Sequence, residues 1–171
     1  AEHAATAAIS ALLSPGRHSG GAAGFAQAAA TALAPLFDTG RAVFVEQGAP
    51  GGGVHFVDWP TWCQPLYCQQ LRVRDPIGRW LRGGGAARDG GVVRLSDLVP
   101  QRKLVRAGYF RDLLEPSGAR YVLTLALPGG QGVRGTLSLV RDAGARDFDA
   151  AEQALARSLV PVLGAVCTVA A

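Results

Sequence analysis

The chain of 171 residues has no methionine, a single lysine (Lys103) and no apolar run near the roughly 18 residues that a membrane-spanning helix needs. Its alanine-rich beginning carries Glu2 and His3 and no basic region ahead of an apolar core, so it does not look like a signal peptide. These absences argue against a membrane span and a secretory leader, and we expect a cytoplasmic protein. Because the chain starts at Ala1, we expect that it lost its initiator or was cut from a longer protein.

Cysteine is scarce as well, and an odd number of three argues against a disulfide scaffold and favours buried thiols. Cys63 and Cys68 are five positions apart, so a helix would place them on different faces, and the chain has no CxxC or HxxxH spacing. The histidines are scattered along the chain. We therefore predict no metal site and no cofactor.

Motifs for catalysis and phosphate binding are missing too. The glycine runs at residues 51–53 and 83–85 lack the lysine and the serine or threonine of a phosphate loop. No Ser-His-Asp arrangement stands out. These absences predict that the protein is not an enzyme.

The composition that remains is that of a globular domain with a sizeable core: 49% of residues are hydrophobic, 18% are charged, and the net charge is +4. Periodicity predicts helices over residues 4–13, 22–37, 101–115 and 148–168, short helices over 60–81, and a helical turn capped by Asp97. Alternation predicts strands over 41–47, 54–59, 121–127 and 133–141, and a short extended piece from Val92. The glycine-rich loops 48–53 and 129–132 predict two hairpins.

This order of elements predicts an α+β fold, in which a central antiparallel sheet has the terminal helices on one face and a helical insert with a pocket on the other. We divide the chain into an N-terminal helix and loop (1–21) and one domain (22–171). In the strand 121–127, Val122, Thr124 and Ala126 form the second face. Thr124 and Ala126 are too small to build a core alone and too apolar for a solvent face, which predicts that something lies over them.

A resemblance to a known family is carried by four stretches, RLSDLV (94–99), YFRDLLEPSGARYVLTLAL (109–127), GTLSLVR (135–141) and DFDAAEQALARSLVPVL (147–163). Their succession resembles a GAF domain, and more closely the N-terminal sensor region of LuxR-type bacterial transcription regulators. The resemblance implies a sensor of an unknown small molecule, with a pocket beneath the mid-chain helices. In those regulators DNA is bound only through a C-terminal helix-turn-helix, so we expect either that this sensor domain was cut from a longer protein with such a domain beyond Ala171, or that the protein senses without binding DNA itself.

The aromatic and small polar residues near the hairpin and the insert suit such a pocket, because ligand pockets are mostly apolar with a few placed polar groups. The candidate lining residues are Phe44, Phe56, Trp59, Trp62, Tyr67, Tyr109, Phe110, Tyr121, Thr124, Thr136 and Ser138. The alternative, that these rings simply form the core, remains open.

Positive charge is concentrated in residues 72–111, which hold ten basic side chains against Asp75, Asp89 and Asp97. This stretch has no recognisable helix-turn-helix, so we do not expect it to bind nucleic acid directly. We expect instead that an arginine at the pocket mouth pairs with a ligand carboxylate, because the planar guanidinium suits that anion.

The terminal helices have more apolar surface than one sheet face needs. In the last helix this excess comprises Ala150, Ala151, Ala154, Val160 and Val169, and the alanine-rich helix 22–37 shows the same feature. We predict a homodimer through these helices. The alternative is that they pack only on each other and on residues 1–13.

A redox function is the alternative to sensing. A GAF-fold redox enzyme, or a thiol-based sensor, would use Cys63 or Cys68. Either needs a thiol whose pKa is depressed by a neighbour such as His55 or an arginine.

Overall fold

A computed structural model describes residues 6–7, 9–11, 20–47, 53–130 and 132–169. Its strands are β1 (Ala42–Glu46), β2 (Val54–Val57), β3 (Val92–Arg94), β4 (Ala119–Gly129) and β5 (Gly132–Asp142). They form one sheet in the order β2-β1-β5-β4-β3, in which every neighbouring pair is antiparallel. The predicted antiparallel sheet and its two hairpins are confirmed.

Two long helices and a series of short ones surround this sheet. In chain order the helices are α1 (Gly21–Phe37), α2 (Cys63–Leu66), α3 (Pro76–Arg82), α4 (Gly85–Arg88), α5 (Leu95–Leu98), α6 (Gln101–Leu104) and α7 (Ala150–Val169), with π-helical turns at Tyr67–Leu71 and Phe110–Leu114 and a 3-10 turn at Arg72–Arg74. We call residues 60–115 the insert. No helix in the described part of the chain is long and apolar enough to cross a membrane.

The N-terminal prediction is covered only in part. Of the helix predicted for residues 4–13, positions 6–7 and 9–11 are helical. The other positions lie outside the described residues. Most of the predicted loop that follows, and residues 48–52 of the first hairpin loop, also lie outside them. Ile9 packs against the core beneath α1 and α7.

The two faces of the sheet carry different side chains because residues alternate along each strand. Leu123, Leu125 and Leu127 of β4 point to the side covered by α1 and α7, where they join a buried apolar cluster with Leu137 and Leu139 of β5. The insert covers the other face with two further clusters, which include Val122 and Ala126. The predicted layers, with terminal helices on one face and the insert on the other, are confirmed.

Two local predictions in the insert are wrong. The helix predicted over 101–115 is broken by turn and bend residues at 105–107 and resumes at Gly108, before the π-helical turn. Asp97 does not cap a helix, since it lies inside α5, where its carboxylate accepts hydrogen bonds of 3.0 and 2.7 Å from Arg94. The arginine beside it offers that carboxylate a stronger, charge-assisted partner than a backbone amide.

A buried arginine joins the sheet to both long helices. The guanidinium of Arg141, at the end of β5, donates hydrogen bonds of 3.1 and 2.6 Å to the carbonyl oxygen of Phe37, the last residue of α1. It pairs with Glu152 in the first turn of α7 at 2.7 Å and lies 4.2 Å from the ring centroid of Phe148. Since the Arg141 side chain is only 3% exposed, its charge depends on these partners.

Replacing Arg141 with methionine should lower the free energy of unfolding by about 3 kcal/mol, because the change leaves buried acceptors without their donor. Urea denaturation at neutral pH measures this loss. Arg146→Met is the matched control, because Arg146 also binds Glu152, at 3.0 Å, but from an exposed position. That variant should change stability little. Equal losses in the two variants would contradict a structural role specific to Arg141.

Candidate functional site

A cavity lies between the insert and the sheet face formed by β1, β2, β4 and β5. Its walls are mostly aliphatic and aromatic, and three polar side chains interrupt them. The lining residues are Val43, Val45, Phe56, Trp59, Tyr67, Asp75, Ile77, Tyr109, Leu113, Leu114, Val122, Thr136, Ser138 and Val140. This mixture of an apolar wall with a few placed polar groups is typical of small-molecule sites.

The cavity is small. All space between its atoms amounts to about 400 Å³, but the centre of a water molecule can occupy only about 20 Å³ of it. The second figure decides what fits, because the first includes the gaps between packed atoms and open solvent. About 10–15 Å³ by that measure holds one water molecule. A ligand of more than a few heavy atoms therefore requires its walls to move.

The polar end of the cavity is built on Asp75, which caps the N-terminus of α3. One carboxylate oxygen accepts a hydrogen bond from the Ile77 amide at 2.8 Å, and the other accepts one from the Tyr67 hydroxyl at 2.7 Å. Asp75 is 8% exposed. Burial raises the pKa of Asp75, and the hydrogen bonds from Tyr67 and Ile77 offset this only in part.

Two buried hydroxyl groups in the cavity wall have no hydrogen-bond partner in the part of the chain that the structure describes. They belong to Tyr109, which is 9% exposed, and Thr136, which is 3% exposed. Burial, and then the nearby Asp75, raise the pKa of Tyr109, so its hydroxyl keeps its proton. By contrast, the Thr124 and Ser138 hydroxyls bond to each other at 2.8 Å across β4 and β5. Unpaired buried polar groups are rare enough to require an explanation, and a ligand or water is one.

Three aromatic rings in contact form another part of the cavity wall. The Phe56 ring centroid lies 5.1 Å from that of Trp59 and 5.7 Å from that of Tyr67. The Trp59 indole donates a hydrogen bond of 3.1 Å to the Ala42 carbonyl oxygen, and the guanidinium carbon of Arg41 lies 5.1 Å from its ring centroid. The Trp59 ring is thus held on both its edge and its face.

Six of the eleven residues predicted from the sequence line this cavity: Phe56, Trp59, Tyr67, Tyr109, Thr136 and Ser138. The other five do not. Phe44 and Tyr121 belong to the cluster on the opposite face of the sheet, and Trp62 is 41% exposed. Phe110 and Thr124 lie on the insert side without lining the cavity, and both are buried.

Sequence reasoning missed the most polar residue of the cavity, Asp75. A signal was present, since an aspartate directly before a proline is typical of a helix N-cap followed by its first residue. It also missed the aliphatic wall, although Val43 and Val45 alternate with Phe44 along β1 and so lie on its insert-facing side.

Cys63 and Cys68 are both free thiols and lie in different environments. Cys63 is fully buried, and burial raises the pKa of its thiol more than the nearby Arg41 lowers it. Cys68 is exposed. A raised pKa disfavours the thiolate, which is the nucleophilic form. Among the described residues, no three His, Cys, Asp or Glu side chains are placed to hold a metal ion.

Comparison with known proteins identifies the fold. No protein-family model matches the sequence, and no curated protein is recognisably similar to it. The structure is similar to the LBD domain of VqsR from Pseudomonas aeruginosa, with a TM-score of 0.64 and 19% identity over 98% of this chain and 93% of that chain. It is also similar to a GAF domain/HD domain protein from Geobacter sulfurreducens, with a TM-score of 0.56 and 17% identity over 82% of this chain and 88% of that one. The chain therefore has a GAF-like fold, as the sequence predicted.

The raised pKa of Asp75 predicts a specific pH dependence. The carboxyl group ionises more readily in the unfolded chain, where its ordinary pKa is 3.8. Its burial should therefore make the free energy of unfolding fall as the pH rises from 3.8 through the pKa of the folded state. Asp75→Asn removes this dependence. The free energy of unfolding of the variant, relative to wild type, should therefore increase with pH over that window and then become constant. Urea denaturation at several pH values above 3.8 measures the difference.

Tyr67→Phe provides the matched comparison. It removes the hydroxyl that lowers the Asp75 pKa, so its stability relative to wild type should fall as pH rises. A pH-independent difference in both variants would show that Asp75 does not titrate abnormally.

Proposed function

We propose that this chain is a small-molecule-sensing regulatory domain of a LuxR-type bacterial transcription regulator, which signals through ligand binding and dimer geometry. Its sequence resemblance and its structural similarity to the VqsR LBD domain support this proposal. The observation that carries it is the pair of buried hydroxyls, those of Tyr109 and Thr136, that have no partner among the described residues and lie in a cavity that also contains Asp75.

The lining defines the chemistry of the ligand. Its body is apolar, because aliphatic and aromatic side chains make most of the wall. It carries at least one N–H or O–H group, since the Asp75 carboxylate can accept further hydrogen bonds. It also carries an acceptor for the Tyr109 hydroxyl.

A thermal-shift screen tests ligand binding. The panel contains alcohols, amides and carboxylic acids of about four to ten carbon atoms, chosen to match an apolar cavity with few polar groups. A ligand at about 100 times its Kd stabilises the folded state by about 2.7 kcal/mol, which should raise Tm by about 5 °C or more.

Thr136→Ile should abolish that shift, because the added methyl group fills the small cavity. The variant should remain folded, since it keeps the β-branched side chain that strands favour and removes an unpaired hydroxyl. Thr31→Ile on the exposed side of α1 is the matched control and should keep the full shift. A ligand that stabilises wild type and Thr136→Ile equally would place its site outside the cavity.

The dimer part of the proposal concerns α1 and α7, which pack side by side over the leucine face of the sheet. Helix α1 contains no charged residue, and α7 contains only Glu152 and Arg157. Ala150, Ala151 and Ala154 are exposed on α7, whereas Val160 is buried and the side chain of Val169 lies outside the described structure. A helix pair with so little charge on its outer surface suits close packing against a second copy.

Light scattering at micromolar concentration should give twice the 17.7 kDa mass of one chain. Ala154→Glu should shift the population to monomers, because it places a charge in the proposed interface. Ala143→Glu, which adds the same charge at an exposed position after β5, should leave the dimer intact. A monomeric wild-type chain is the result that would remove the dimer from the proposal.

A further inference from the structure

A second depression lies on the outside of the insert and shares one wall residue with the cavity. It is open to solvent and gives the centre of a water molecule about 380 Å³ of room, far more than the cavity does. Val99, Leu104 and Tyr109 belong to its apolar surface, and Arg74, Arg79 and Lys103 supply its charge. We call this depression the basic groove.

The three cations of the basic groove form no ion pair with any residue in the described ranges. Asp112 lies beside the groove: a Cβ built on Gly108 would lie 3.4 Å from its Oδ2 and 3.8 Å from the Arg74 Nη1. One carboxylate does not balance three positive charges. Like charges gathered around one concave surface repel each other, and a bound anion relieves that repulsion.

The arrangement of charge and apolar surface selects the kind of anion. Two guanidinium groups present paired donors that match a carboxylate, whereas the lysine adds a point charge. Leu104 and Tyr109 are buried, so the base of the groove is packed and apolar.

We propose that the basic groove binds a small amphipathic carboxylate, with its anionic group between Arg74, Arg79 and Lys103 and its apolar part over Leu104 and Tyr109. This site goes beyond the proposed function, because it is separate from the cavity and does not require the cavity to be filled. Its concave shape and apolar base favour a small organic acid over a nucleic-acid backbone, which binds to extended basic surfaces.

Calorimetric titration of the full chain with octanoate and with octanamide tests the proposal. The two probes have the same chain length, and only octanoate is charged. Octanoate should bind at least about tenfold more tightly, and the triple variant Arg74→Gln/Arg79→Gln/Lys103→Gln should remove that advantage. All three side chains are exposed, so the variant should fold normally.

The matched control is Arg102→Gln/Arg106→Gln/Arg111→Gln, which removes the same charge from exposed positions outside the groove. It should keep octanoate binding within about threefold of wild type, since exposed charges act weakly at a distance in salt. Equal losses in the two triple variants, equal affinity for the two probes, or no octanoate binding would each overturn the proposal.

Two further measurements separate this site from its alternatives. Thr136→Ile fills the cavity and should leave octanoate binding unchanged, so loss of binding in that variant would assign the carboxylate to the cavity. A labelled DNA duplex should not compete with octanoate. Competition by the duplex, together with weaker duplex binding by the groove variant than by the control triple variant, would identify the groove as a nucleic-acid contact and overturn the proposal.

Discussion

The small side chains on the insert-facing side of β4 and β5 are the constraint on which the rest of the structure depends. Thr124 and Ser138 stand opposite each other on the two strands and use their hydroxyls on one another. Neither is long enough to fill the space beneath the insert, whereas the larger Val122 and Val140 of the same strands pack with the buried residues of the insert. On the other face, leucines pack fully against α1 and α7. The helix-covered face of the sheet therefore packs as a leucine core, whereas the insert-covered face leaves room for the cavity.

This division explains which parts were predictable from the sequence. The alternation along β4 and β5 is a local property, and it predicted both faces and the covering insert. Phe44 and Tyr121 were assigned to the cavity because they are aromatic, yet the position of Phe44 in β1 puts it on the same side as Ala42, in the helix-covered core. Tyr121 follows a register irregularity in β4. The aromatic character of a residue favours a place in a pocket, but its position along the strand decides whether its side chain reaches the cavity.

The insert was less predictable because its contacts join residues that no short-range pattern relates. The bond between Tyr67 and Asp75 spans a π-helical turn and a 3-10 turn, whose unusual geometry sets the position of both side chains. Both π-helical turns of the insert contribute cavity residues: Tyr67 in the first, and Leu113 and Leu114 in the second. Such turns interrupt regular helices and are frequent at functional sites.

Two buried polar groups show how packing and binding can be distinguished in this protein. The Arg141 guanidinium has a carbonyl oxygen, a carboxylate and an aromatic face as partners, so its environment is complete without a ligand. Asp75 has two hydrogen bonds, a raised pKa and, in the same cavity, hydroxyls that bond to nothing in the described residues. A satisfied network fixes a structure, whereas an unsatisfied one beside a void favours a site that a ligand completes.

Tyr109 separates the cavity from the basic groove, and its position indicates which wall must yield to a larger ligand. The sheet side is held by strand pairing and by the leucine core behind it, so it resists movement. Tyr109 instead follows the break in the helical segment after Leu104 and precedes the second π-helical turn. Interrupted segments open at a lower free energy than continuous helices or central strands. Tyr109 lines both the cavity and the basic groove, so the segment that carries it, rather than any strand, is the part of the cavity wall that can move at the lower cost in free energy.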